Sequence, residues 1–143
     1  MKVKEIMTKD VDTISPTTTI ADVARDMRDL DVGFMPVVQN GELLGVITDR
    51  DITIRVTAEG LNPMQATVDA YYSPNVVTIG PDASVDEAAK LMGEHQIRRL
   101  LVTEGKQIVG VVSIGDVAVE GKKDKAVGET LTEISQPNEY MQS

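Results

Sequence analysis

The 143-residue chain has no cysteine and a single histidine, His95. The first absence excludes disulfides, iron–sulfur clusters, thiolate zinc sites and cysteine nucleophiles, and the second excludes multi-histidine metal sites. Tryptophan is also missing, and the aromatic residues reduce to Phe34, Tyr71, Tyr72 and Tyr140. The core must therefore be aliphatic, and stacking platforms for single-stranded nucleic acid are scarce. Basic residues are in deficit: 14 Lys and Arg against 23 Asp and Glu give a net charge of −9. Such a chain lacks the footprint needed to bind a phosphate backbone, which argues against nucleic acid as a partner and leaves room only for a local basic pocket. No stretch approaches the ~20 apolar residues of a membrane span, and residues 1–8 carry no apolar leader, so a cytoplasmic protein away from membranes is expected.

What the chain does have is a second copy of itself. A shift of 65 positions lays residues 3–53 on residues 68–118 without a gap, and 11 of those 51 pairs are identical. Ordinary composition would give about three chance identities. Thr13/Thr78, Ile14/Ile79, Pro16/Pro81, Gly45/Gly110 and Asp51/Asp116 are among them. The expected organisation is repeat 1 over 1–58, a linker over 59–66, repeat 2 over 67–120, and a polar tail over 121–143 with a Lys122–Lys125 charge run and one short helix.

Each copy reads as strand, helix, strand, strand, helix. The β-branched runs Val11–Ile14 and Val76–Ile79 stop before Pro16 and Pro81. Thr19 with Asp22, and Ser84 with Glu87, have the spacing of capping boxes. Ile20, Val23, Ala24, Met27 and Leu30 then share one helical face, as do Val85, Ala88, Ala89, Leu91 and Met92. Two apolar strands follow in each copy, the first pair joined by Asn40-Gly41, which suits a type I′ turn. Second helices are expected over 49–58 and 115–120.

The chemistry gathers at Gly45-Val46-Ile47-Thr48-Asp49-Arg50-Asp51 and Gly110-Val111-Val112-Ser113-Ile114-Gly115-Asp116. The glycine permits close backbone approach to a ligand. Thr48 and Ser113 stand at a helix start, where amides favour a phosphate. Asp51 and Asp116 lie one turn on, where a carboxylate can accept two hydrogen bonds from adjacent ribose hydroxyls. The same spacing is also a capping box, and both roles can coexist.

Placed at the same point of both repeats, these segments closely resemble the signature of the cystathionine-β-synthase (CBS) domain, over residues 1–120. The chain is similar to small bacterial proteins made of a CBS pair and little else. The resemblance implies an α/β (α+β) fold of two βαββα repeats about a pseudo-twofold axis, a Bateman module. It further implies an adenosine nucleotide, AMP, ADP or ATP, in clefts between the repeats and a disc-shaped homodimer. On that reading Asp51 or Asp116 takes the ribose, and Thr48 or Ser113 the phosphate. The adenine lies along Thr13-Ile14 or Thr78-Ile79.

The copies differ where an anion would be decided. Arg98 and Arg99 stand where the first copy has Gly33 and Phe34. Guanidinium forks suit phosphate, a solvated surface pair is the other reading, and the resemblance brings the two level. Arg50 against Gly115 partly offsets the difference, and Leu101 replaces the proline found at position 36. His95 reads as a partly exposed helix-end residue. No Walker loop, nucleophile elbow or dinucleotide fingerprint is present, so a regulatory ligand-binding module without catalysis, metal or required cofactor is expected. The alternatives are an interaction adaptor for a partner enzyme or transporter, with vestigial clefts, and a weak nucleotide hydrolase. Surplus apolar residues near Ile52, Ile54 and Val56, and at Val117–Val119, point to a homodimer face.

Overall fold

Thr19 opens the longest helix of the first copy, its hydroxyl accepting the Asp22 amide at 3.2 Å. This helix, α1 (Ile20–Leu30), buries Ile20, Val23 and Met27, while Ala24 and the 44 % exposed Leu30 lie outside the stripe expected for them. It ends at Asp31, which adopts a left-handed φ of 55° so that its amide returns to the Arg28 and Met27 carbonyls. The hairpin β1 (Phe34–Gln39) and β2 (Glu42–Thr48) follows. Asn40 and Gly41 both have positive φ, 54° and 78°, as a type I′ turn demands. The register shifts between Val37 and Val38, a bulge just before Gly45. Thr48 then caps α2 (Asp49–Asp51), which widens at once into a π-helical stretch, Ile52–Thr57. Residues 49–58 are therefore helical as expected, but mostly not α-helical.

The computed structural model describes residues 1–120, so the expectations for the tail over 121–143 lie outside it. In the second copy β3 (Thr78–Ile79) pairs in parallel with the hairpin strand that follows the helix. The expected equivalent over Val11–Ile14 is reduced to one bridge, Ile14 to Val37. Ser84 caps α3 (Val85–His95), which ends on left-handed Gln96. β4 (Arg99–Glu104) and β5 (Gln107–Ser113) form a hairpin bulged at the equivalent place, between Val102 and Thr103. Its turn puts Gly105 alone at positive φ, 61°, which fits a type II′ turn. α4 (Ile114–Glu120) is regular.

Packing does not follow the sequence repeats. Residues 12–76 form one compact unit, and residues 1–11 with 77–120 form the other. The opening segment of each copy sits in the unit of the other: Val3 donates to the Ala83 carbonyl at 2.8 Å, and Val68 to the Thr18 carbonyl at 2.9 Å. Val3 and Val68 are both fully buried, one in each aliphatic core. Thr8 bridges to Val111 and Ser73 to Val46, the same exchange 65 positions apart. Residues 59–66 lie inside a single unit, where the Pro63 and Ala66 carbonyls accept the Ala21 and Ile20 amides. Lys4 and Lys2 reach Asp82 at 3.1 and 3.6 Å; the hydrogen bond and charge of Lys4 hold its carboxyl below the usual carboxylate range. No helix among the described residues is long and apolar enough to cross a membrane.

Candidate functional site

Thr48 and Asp51 bond reciprocally: the Asp51 amide donates to Thr48 Oγ1 at 3.0 Å, and the Thr48 amide to Asp51 Oδ2 at 2.9 Å. Ser113 and Asp116 repeat the pair, both bonds at 3.1 Å. The capping-box reading of these motifs is thus realised in both copies. It leaves chemistry to spare, because each carboxylate commits Oδ2 to the cap and keeps Oδ1. All four side chains are partly buried, Asp51 only 15 % exposed, and the cap bonds hold each carboxylate in position.

The surroundings of the two caps differ. β4 places Arg99 directly opposite Ser113, so their side chains share a sheet face, and the Arg98 carbonyl accepts the Ile114 amide at 2.7 Å. Among the described residues neither guanidinium has a carboxylate partner. In the other unit Phe34 stands opposite Thr48, and Gly33 supplies the equivalent carbonyl to Asp49. Thr78, partly buried, and Ile79, buried, pair with Leu101 and Val102, two positions along β4 from Arg99. Thr78, Ile79, Arg98, Arg99, Ser113 and Asp116 therefore belong to one unit, and Thr13, Ile14, Thr48 and Asp51 to the other. Ile14 spends its amide on Pro36 and its carbonyl on Val38, which leaves exposed Thr13 to meet anything beside it. His95 is exposed, at the helix end where it is expected.

The glycines do something the sequence did not reveal. A Cβ on Gly45 would overlap the Ser73 carbonyl oxygen and lie 2.7 Å from the Tyr72 ring; one on Gly110 would lie 2.8 Å from Met7 Cγ and 3.0 Å from the Thr8 carbonyl. They admit the chain's own exchanged segments. Sequence reasoning also missed Arg55, whose Nε lies 3.8 Å from Asp51 Oδ1 and whose Nη1 donates to the Tyr71 carbonyl at 3.3 Å. The i, i+4 spacing of opposite charges was the available signal.

Residues 3–57 and 68–121 each match the family described as CBS domain. The CBS domain-containing protein YhcV of Bacillus subtilis is 42 % identical over 136 residues, covering 95 % of this chain and 96 % of the relative. The crystal structure of Hypoxic Response Protein I with two coordinated zinc ions superposes with a TM-score of 0.74 at 32 % identity, covering 84 % of this chain and 98 % of that one. CBSX2 in complex with AMP shares the fold, with a TM-score of 0.72 at 21 % identity over 87 % of this chain and 98 % of that one.

Proposed function

Because this chain belongs to the CBS domain family and carries the domain twice, as a regulatory module, we propose that it senses an adenosine nucleotide: AMP, ADP or ATP. The observation that carries the reading is the pair of capped aspartates, each holding a second carboxylate oxygen in place, one of them beside two arginines with no carboxylate partner among the described residues. The ribose hydroxyls donate to Asp116 or Asp51. The phosphates meet Ser113 or Thr48 and, at the first of these, Arg98 and Arg99, whose forked donors match phosphate oxygens. The adenine lies along Thr78-Ile79 or Thr13-Ile14. On this reading the module acts by binding. AMP in CBSX2 is consistent with the reading, although that likeness speaks for the fold alone.

Hypoxic Response Protein I carries two coordinated zinc ions; in this chain no three His, Asp or Glu side chains group among the described residues. We also propose a homodimer. In its favour, Ile54 in one unit and Val119 in the other, equivalent positions 65 apart, are 50 % and 72 % exposed, while Val56 and Val117 turn inward.

Calorimetric titration with AMP, ADP and ATP tests the proposal. A hydrogen bond to a charged group contributes about 1.5–3 kcal/mol, so Asp116→Asn is expected to weaken binding about tenfold or more at its own position. Absence of heat at millimolar nucleotide sinks the sensor reading and favours an adaptor acting through a partner protein.

A further inference from the structure

Asp51 and Asp116 hold the same place in the two copies but are not equally available. Oδ1 of Asp51 faces Arg55 at 3.8 Å, and Arg55 is itself tethered to the Tyr71 carbonyl at 3.3 Å. The residue equivalent to Arg55 in the second copy is Glu120. Asp116 therefore has a like charge, not a cation, one turn further along its helix. Among the described residues Oδ1 of Asp116 has no hydrogen-bond or ion-pair partner. A ribose arriving at Asp51 has to displace Arg55 or share the oxygen with it; at Asp116 no described residue has to move. A second, independent difference points the same way. Arg98 and Arg99 accompany Ser113 and Asp116, whereas Gly33 and Phe34 accompany Thr48 and Asp51 and offer no charge.

Resting on the nucleotide reading above, we propose that the two equivalent positions fill in order: a phosphorylated adenosine takes Asp116 first, and Arg55 holds Asp51 back as a weaker second site. Arg55 is a positioning residue, acting on the ligand only through Asp51. Arg55 is itself half exposed, so the pair is of a strength that alters an affinity several-fold and not by orders of magnitude.

The experiment is calorimetric titration of the full chain with AMP at low salt, using Asp116→Asn, Asp51→Asn and Arg55→Gln. Asparagine keeps the oxygen that accepts the cap amide, and thermal melting of each variant checks that the fold is intact. The unaltered chain is expected to show two unequal steps. Asp116→Asn removes the tighter one; in that background Arg55→Gln strengthens the remaining step about threefold, and Arg55→Lys restores part of the handicap. An arginine with only a structural role would move the melting midpoint and leave the affinity alone. Two equal steps, loss of the tighter step in Asp51→Asn, or no gain from Arg55→Gln overturns the order while the nucleotide reading stands. No AMP uptake by the unaltered chain overturns both, and is distinguishable because no isotherm exists to be reordered.

Discussion

In the unit of residues 12–76 the signature glycine faces a backbone carbonyl and a tyrosine ring; in the other unit its equivalent faces mainly the end of a methionine. Around those glycines the copies keep the same bulge, the same reciprocal cap and the same bridge to an exchanged segment. They part at side chains: Phe34 against Arg99, and Arg55, which holds the Tyr71 carbonyl, against Glu120. The copies share what the chain path demands and differ in the charge around the two aspartates. The same frame can then hold one charged position and one muted one.

The sharpest way to break this comparison is at the glycines. Gly45→Ala drives a methyl group into the Ser73 carbonyl, which is backbone and cannot yield cheaply; a loss of about 3 kcal/mol is expected in urea unfolding. Gly110→Ala meets chiefly the flexible Met7 side chain, and the lost entropy of the unfolded chain offsets part of the strain, so about 1 kcal/mol is expected. Equal losses would show that the two crossings are alike after all. Next in size is the charge difference. Arg98→Ala with Arg99→Ala is expected to weaken ATP about tenfold and adenosine barely, read by competitive titration; an equal loss for both ligands would make the arginines structural.

The smallest effect concerns the ionic tie of the N-terminal segment. The Asp82 carboxyl is held below its usual range by Lys4 and Lys2, so it contributes stability above the ordinary carboxylate value of about 3.9, and that contribution fades as pH falls towards the lowered one. Hydrogen exchange at Val3 and Lys4 is expected to lose protection in that acid window ahead of Val68, whose segment has no such lysines, and Asp82→Asn should remove the difference.

Much of this was legible in the sequence because it is local chemistry. A hydroxyl three residues ahead of a carboxylate, or Asn before Gly, acts on its own neighbours: the Thr48 and Ser113 boxes and the first hairpin turn came out as read, while at Thr19 and Ser84 only the hydroxyl half of the expected box formed. The strand over Val11–Ile14 did not, since β-branched propensity cannot supply a partner: among the described residues exposed Asp12 and Thr13 pair with nothing, and only Ile14 reaches β1. Nothing in Ile52–Thr57 announces a π-helix. The exchange of segments was hidden by the repeat itself. Val3 could dock beside Thr18 or beside Ala83, equivalent positions that offer the same carbonyl, and a pattern of apolar residues cannot choose between them. Of the candidate site, residue identities were readable. The commitment of each Oδ2 to a cap, and of Arg55 to Asp51, needed coordinates.

The exchanged segments change what a break in the chain would mean. A protease cut within 59–65 would yield two polypeptides, neither with a complete interior: the first piece would lack Val68 for its own core and the second would lack Val3. Each would carry the plug the other needs. The nicked protein would behave as an obligate heterodimer, its melting temperature rising with concentration by mass action as its two pieces associate.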